Sequence, residues 1–287
     1  MRKIIIIIPV LLACVLVLYK LSTPPPPPPS GDETSNKDKP CNITIFIDLS
    51  DRIVNDGQPD QREKDMAIVG NITDWFREKT RNDQHGLQKS TNRIKVLFYP
   101  TPQNATMTQC ADCLNLDVQK CPQGKGRRER VMGVKETFQK NLKQVYDEAI
   151  QANNFPGCDI WGFFTNGKVK DLCIEKGYRN VLFILTDGYI LDEQTMVQEG
   201  DISNYISSKI LNNPNATLKV GINGLDNLEV GIFEINPVNP NHLPKMKSML
   251  EDWLVGMDVQ KEDITIVETD LPATTKSYID KILEPIK

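Results

Sequence analysis

The chain has 287 residues and a formal net charge of −4, from 34 Lys and Arg against 38 Asp and Glu. That acidic surplus argues against a general nucleic-acid binder, which carries a basic excess, and two histidines leave little for imidazole acid–base chemistry. A hydrophobic content of 39 % is ordinary for a globular protein. With an unusual N-terminal stretch set apart, roughly 247 residues remain, long for one domain and ample for a sizeable core.

The first segment, 1–21, sets the expected location. Arg2 and Lys3 precede an unbroken apolar run from Ile4 to Tyr19, closed by Lys20. As a helix this run spans roughly 24 Å, a little short of a ~30 Å hydrocarbon core, a difference that snorkelling of Lys3 and Lys20 or local bilayer thinning covers. Three readings compete: an uncleaved anchor, a lipoprotein signal ending in Leu11-Leu12-Ala13-Cys14, and a cleaved signal peptide. Val15 to Tyr19 stays apolar after the cysteine, which favours the single-pass anchor over lipidation at Cys14. All three place the folded part outside the cytoplasm or at a membrane surface, and the flanking charges keep the N-terminus inside. The linker, 22–40, begins with Pro24 to Pro29, a stiff polyproline II spacer. Its polar remainder, Ser30 to Lys39, lacks apolar residues to offset the entropy of ordering. Together these features point to a bacterial cell envelope.

The domain proper is expected over 41–287. Ile43–Ile47 reads as a strand buried on both faces. Asp60–Arg81 carries Met66, Val69, Ile72, Trp75 and Phe76 at helical spacing. Arg93–Tyr99 reads as a strand stopped by Pro100. Residues 101–128 show no periodicity and hold Cys110, Cys113 and Cys121, so a long cysteine-containing insertion is expected. A basic cluster at its end, Lys125, Arg127, Arg128 and Arg130, reads as a solvated loop and helix start, with a phosphate or anionic-lipid contact as the alternative. Helices follow at Arg130–Asn153 and Asp159–Cys173, then a central strand at Asn180–Thr186. Beyond it come a helix near Ile202–Leu211, a strand at Thr217–Ile222 and a strand at Leu228–Ile235 opposed to it across a short turn. A helix at Leu243–Val255, a strand at Ile264–Glu268 and a helix at Ala273–Leu283 close the chain. Trp75, Phe76, Trp161, Phe163, Phe164 and Trp253 are expected to pack in the core. Strands alternating with helices predict an α/β fold: a mainly parallel central sheet with helices on both faces.

Six cysteines lie beyond Cys14: Cys41, Cys110, Cys113, Cys121, Cys158 and Cys173. An even number in an exported domain predicts up to three disulfides, whose pairing the sequence leaves open. A zinc site at Cys110, Cys113 and Cys121 lacks a fourth ligand at a convincing spacing.

In parallel sheets, ligands bind beyond the carboxyl ends of the strands. Two such ends carry acids: Asp48-Leu49-Ser50-Asp51-Arg52 after the first strand, and Thr186-Asp187-Gly188 after the central one. A strand ending in Asp-x-Ser and a later strand ending in Thr-Asp-Gly resemble the von Willebrand factor A domain, in element order over most of Cys41 to Lys287. The resemblance implies a metal-ion-dependent adhesion site with Asp48, Ser50 and Asp187 as ligands of Mg²⁺, or of Mn²⁺ or Ca²⁺, and a three-layer Rossmann-like sandwich. The oxygen donors suit a hard cation on chemical grounds as well. Where the family has a second serine this chain has Arg52, which cannot ligate a cation and could instead neutralise the carboxylates; Asp51 offers an alternative oxygen. The family's threonine ahead of the distal acid has no obvious counterpart. Asp159, at a helix start, is the candidate replacement, with a simple N-cap as the alternative.

The expected function is a non-enzymatic protein-binding module, gripping an acidic residue of another protein through the divalent-metal or degenerate site. The alternatives are a metal-dependent phosphatase-like hydrolase using Asp48 as nucleophile, weakened by Ser50 where the second acid is needed, and a structural envelope protein with an inactive site. No Gly-rich phosphate loop, Gly-x-Ser-x-Gly elbow or His-Glu-x-x-His motif occurs.

Overall fold

A computed structural model of the chain describes residues 39–54, 60–151, 155, 157–190 and 198–284. The apolar run 4–19, Cys14 and nearly all of the linker lie outside the described residues. Among those described, no helix is long and apolar enough to cross a membrane.

In chain order the elements begin with β1 (Cys41–Ile47), α1 (Gln61–Arg81), β2 (Arg93–Leu97), α2 (Ala105–Asp112), β3 (Asn115–Asp117), α3 (Lys125–Met132) and α4 (Val134–Gln151). Next come α5 (Ile160–Thr165), α6 (Lys168–Cys173), β4 (Arg179–Leu185), β5 (Gln198–Glu199), β6 (Ile202–Ser203), α7 (Ser208–Leu211) and β7 (Thr217–Leu218). The chain closes with β8 (Leu228–Ile235), α8 (Leu243–Val255), β9 (Ile264–Glu268) and α9 (Pro272–Leu283).

The main sheet runs β3-β2-β1-β4-β8-β9. Every pairing is parallel except that of β3, an antiparallel edge strand on β2. This is the α/β three-layer sandwich that the alternation of strands and helices implies. The alternation along β1 shows why: Ile43, Ile45 and Ile47 join Val181, Phe183 and Leu185 in one apolar layer, with Ile68, Val69, Ile72 and Phe76 of α1 and Phe138 and Leu142 of α4. Phe46 points the other way, with Leu182 and Ile184, against Trp161, Phe163 and Phe164 of α5 and Trp253 of α8. Each of these fully buried side chains contributes about 1.5–3 kcal/mol of transfer free energy. Two-sided burial explains why β1 and β4 read as continuous apolar runs. Of the six aromatics expected in the core, five are buried and Trp75 is partly so.

The chain passes from β1 outward to β2 and β3, then returns to the opposite side of β1 for β4, β8 and β9. The strand order therefore reverses between β1 and β4, the place where an open parallel sheet leaves a crevice for a ligand.

Several expectations are corrected. Residues 101–128 are not an irregular insertion. Asn104 caps α2, its Oδ1 accepting from the amides of Thr106 (2.8 Å) and Met107 (3.2 Å), and β3 extends the sheet. These elements are too short to show a period. Arg127 in the basic cluster is buried and not solvated: its Nη2 donates to the carbonyls of Gln119 and Cys121 at 3.1 Å each. The helix expected from Arg130 is two helices broken at Gly133, and Asn153 lies outside the described residues. The helix expected over Asp159–Cys173 is likewise two, broken at Gly167, which is left-handed with φ 73°. Only Ser208–Leu211 of the segment Ile202–Leu211 is helical, and Ile202–Ser203 is a strand. Thr217–Ile222 holds a two-residue strand that pairs with β6 in a second, small sheet, not with β8, which lies parallel between β4 and β9. The six cysteines carry free thiols. They are dispersed over separate elements, where Cys41, Cys110, Cys121 and Cys173 fill core positions. Burial pushes the Cys173 thiol up to about 12, which disfavours a reactive thiolate.

Candidate functional site

Asp48 and Asp187 lie just beyond the ends of the neighbouring strands β1 and β4, where Ile47 pairs with Leu185. Asp48 is buried, and both its oxygens are engaged: Oδ1 accepts from the Ser50 amide at 2.8 Å and Oδ2 from the Thr186 hydroxyl at 2.9 Å. The Thr186 hydroxyl also accepts from the Gly188 amide at 3.2 Å, so the Thr-Asp-Gly turn and the Asp-x-Ser turn are tied through one side chain.

Gly188 has φ 96°, and a Cβ there would come within 2.5 Å of Met246 Sδ and 2.9 Å of Ile235 Cδ1. A glycine is required both by the left-handed backbone and by the close packing of α8 beneath it.

Asp187 is half-buried, and its Oδ1 accepts from the Tyr189 amide at 3.0 Å. Burial, then repulsion from Asp48, pushes its carboxyl up to about 6. Among the described residues Asp187 makes no ion pair. Ser50 is half-buried beside Asp48, and Asp51 is exposed at the head of a 3₁₀ turn, close enough to add to the negative field at Asp187.

Asp159 caps α5, with Oδ1 accepting from the Gly162 amide at 2.6 Å. A Cβ on residue 162 would lie 2.0 Å from Asp159 Oδ2, so Gly162 lets the carboxylate fold over the helix start. This is the N-cap arrangement. Its neighbour Cys158, which no motif spacing points to, sits in the fields of Asp48, Asp187 and Asp159. Burial, then Asp48, pushes that thiol well above its ordinary value, so it stays protonated and is a poor soft-metal ligand.

Arg52 does not point out over the carboxylates. It is buried beneath them, its Nη2 donating to Asp65 Oδ2 at 2.7 Å and to the Leu185 carbonyl at 3.1 Å, and its Nε to the Asp48 carbonyl at 3.1 Å. Its Nε is 3.9 Å from Asp48 Oδ2. Asp65, unforeseen, also accepts from the Tyr146 hydroxyl at 2.8 Å and from Gln61 Nε2 at 3.0 Å. Gln61 reaches on to Glu234 Oε2 at 3.3 Å, and Thr269 donates to the same oxygen at 2.7 Å. Glu234 is buried with φ 71° where the β8–β9 register shifts. A polar chain thus runs under the strand ends from β1 to β9.

The donors around Asp48, Ser50 and Asp187 are all oxygens, two carboxylates and a hydroxyl, which fits a hard divalent cation that retains waters. Among the described residues no group of three or more His, Cys, Asp and Glu is arranged to hold a metal ion.

Neither a protein-family model nor a curated protein matches this chain. Solved structures similar to it include an aerotolerance-related membrane protein from Bacteroides fragilis, at 10 % identity over 85 % of this chain and 98 % of that one, with a TM-score of 0.38. BatB from Bacteroides thetaiotaomicron, described as a conserved hypothetical protein, matches at 9 % identity over 84 % and 98 %, with a TM-score of 0.38. The pilus adhesin SpaC from Lactobacillus rhamnosus GG matches at 10 % identity over 85 % of this chain and 30 % of its own, with a TM-score of 0.43.

Proposed function

We propose that this domain is a non-enzymatic binding module of the cell envelope, gripping an acidic side chain of a partner protein through a divalent cation held by Asp48, Ser50 and Asp187. The observation that carries this reading is Asp187: a carboxylate beside Asp48 at the strand-order reversal, with no ion pair among the described residues and a carboxyl pushed up to about 6. An unpaired carboxylate held next to another is destabilising unless a cation joins them. Arg52 answers them only in part: its Nε lies 3.9 Å from Asp48 Oδ2, while its Nη2 is given to Asp65 at 2.7 Å. A bound cation with an open coordination position would accept a partner's carboxylate, which is how this chemistry grips without turnover.

The hydrolase alternative meets a chemical objection. A phosphatase of that kind needs a second acid two residues after the nucleophile, and that position is Ser50. Anchoring through residues 4–19 remains part of the proposal, with the domain outside the cytoplasm.

The test is thermal unfolding of the full-length protein with EDTA and with millimolar Mg²⁺ or Mn²⁺, on wild type and Asp187→Ala. A cation at ~100 times its dissociation constant adds about 2.7 kcal/mol, a rise of about 5–10 °C for a domain of this size. The expected result is a rise in the wild type and none in the variant. Identical midpoints with and without cation would overturn the proposal.

A further inference from the structure

The sheet face that carries Asn42, Thr44 and Phe46 on β1 continues outward, by register, as Arg93, Lys95 and Leu97 on β2 and as Asn115 and Asp117 on β3. At its centre this face is apolar and covered by α5 and α8. At its outer edge it is charged and opens into a cavity of about 300 Å³, lined by Arg93, Lys95, Lys120 and Arg130 against Asp117, Asp171 and Glu175, among others. That volume is at the lower end of small-ligand sites.

The charges in this cavity do not balance. Arg93 takes up the two best-placed carboxylates: its Nε is 3.2 Å from Asp117 Oδ2, and its Nη1 is 2.5 Å from Glu175 Oε2. Its guanidinium also lies 4.7 Å over the Tyr178 ring. Lys95, two residues along the same strand face, is half-buried and makes no ion pair or hydrogen bond among the described residues. Burial pulls its ammonium below the ordinary lysine value; Cys173 opposes that shift, Arg93 adds to it, and Glu175 offsets it in smaller part. Lys120 shares Asp117 at 3.6 Å, and exposed Arg130 makes no ion pair among the described residues. A half-buried ammonium with no partner costs stability, and an inward position on a strand would ordinarily hold an apolar residue. In a chain of net charge −4, this cavity carries a small cationic surplus, with its half-buried Lys95 unpaired among the described residues.

We propose that this cavity binds a compact anion of the phosphate or carboxylate class, with Lys95 as the buried anchor and Lys120 and Arg130 at the exposed rim. The site is separate from Asp48 and Asp187, since its residues come from the start of β1, from β2, β3 and the turn after it, and from α3, α6 and the segment after α6.

The test titrates inorganic phosphate, and separately succinate, into the full-length protein against sodium chloride of matched ionic strength, following heat of binding and thermal midpoint. Phosphate or succinate should bind and raise the midpoint where chloride does not, and the anion that binds identifies the class. Lys95→Met should weaken binding about tenfold or more, as for loss of one charge-assisted hydrogen bond. Without ligand, the same variant should unfold no lower than wild type, because it removes an unpaired buried cation. Arg130→Gln, at an exposed position, should weaken binding with the midpoint unchanged, and Asp187→Ala should leave binding intact. Equal responses to chloride and to both anions, or undiminished binding in both Lys95→Met and Arg130→Gln, would overturn the proposal.

Discussion

Arg52 Nη2 donates to Asp65 Oδ2 at 2.7 Å, with both side chains almost wholly inaccessible to solvent. The pair joins the turn after β1 to the first helix, directly beneath the candidate site. Where the resemblance implied a serine ligand, the chain has a buried cation serving an acid on α1. Burial costs an isolated guanidinium heavily, and here the loss is met by the two Asp65 oxygens and two backbone carbonyls.

Removing one partner of this pair should therefore be severe. Asp65→Ala leaves Arg52 charged and buried, and the expected loss is about 3–5 kcal/mol in urea unfolding. Arg52→Ala should cost a similar amount. The double variant should cost clearly less than the sum of the two, since the second removal relieves an orphaned charge. Additive losses would show that the two residues do not act as a pair.

The pH dependence without cation follows from Asp187. Its carboxyl titrates at about 6 in the folded protein against an ordinary 3.8, so the folded state holds the extra proton between those values. Stability is therefore full below the unfolded value and is lost as pH rises through the folded one. In EDTA, wild-type stability should fall between about pH 4 and 6, and Asp187→Asn should remove that component of the fall. Equal slopes for both proteins across this window would refute the assignment.

Gly188 makes a third prediction. A methyl group at this position meets Met246 and Ile235 and must adopt φ 96°. Gly188→Ala should cost about 1–3 kcal/mol from backbone strain alone, and should also shift the adjacent Asp187. The variant should thus lose both stability and any cation response. A stable variant with an unchanged response would show that the turn is looser than the packing indicates.

Much of this was legible in the sequence, and the exceptions have physical causes. β1 and β4 announced themselves because burial on both faces demands continuous apolar runs, and the acids following them stood out as the first charged residues after those runs. The segment 101–128 was illegible because α2, β3 and α3 are each at most eight residues long, too short to display a period. The pairing of β8 between β4 and β9 depends on long-range register that no local turn signal encodes. Asp65 could have been found: it sits one turn before Ile68 and Val69 on the apolar stripe of α1, where a charge needs a buried partner. Glu234 gives the same signal within the run Ile232-Phe233-Glu234-Ile235. That Arg52 turns inward to meet Asp65 is a tertiary fact, and the spacing of the motif residues carries no trace of it.

The most direct measurement is Mn²⁺ binding to the full-length protein, by calorimetry with the free ion checked by electron paramagnetic resonance. One ion per chain, competed by Mg²⁺ and lost in both Asp187→Ala and Asp48→Asn while Asp159→Asn retains it, is the predicted result. No binding by the wild type, or binding that Asp187→Ala leaves unchanged, would contradict the account and make the buried Arg52–Asp65 pair the whole of what these strand ends hold.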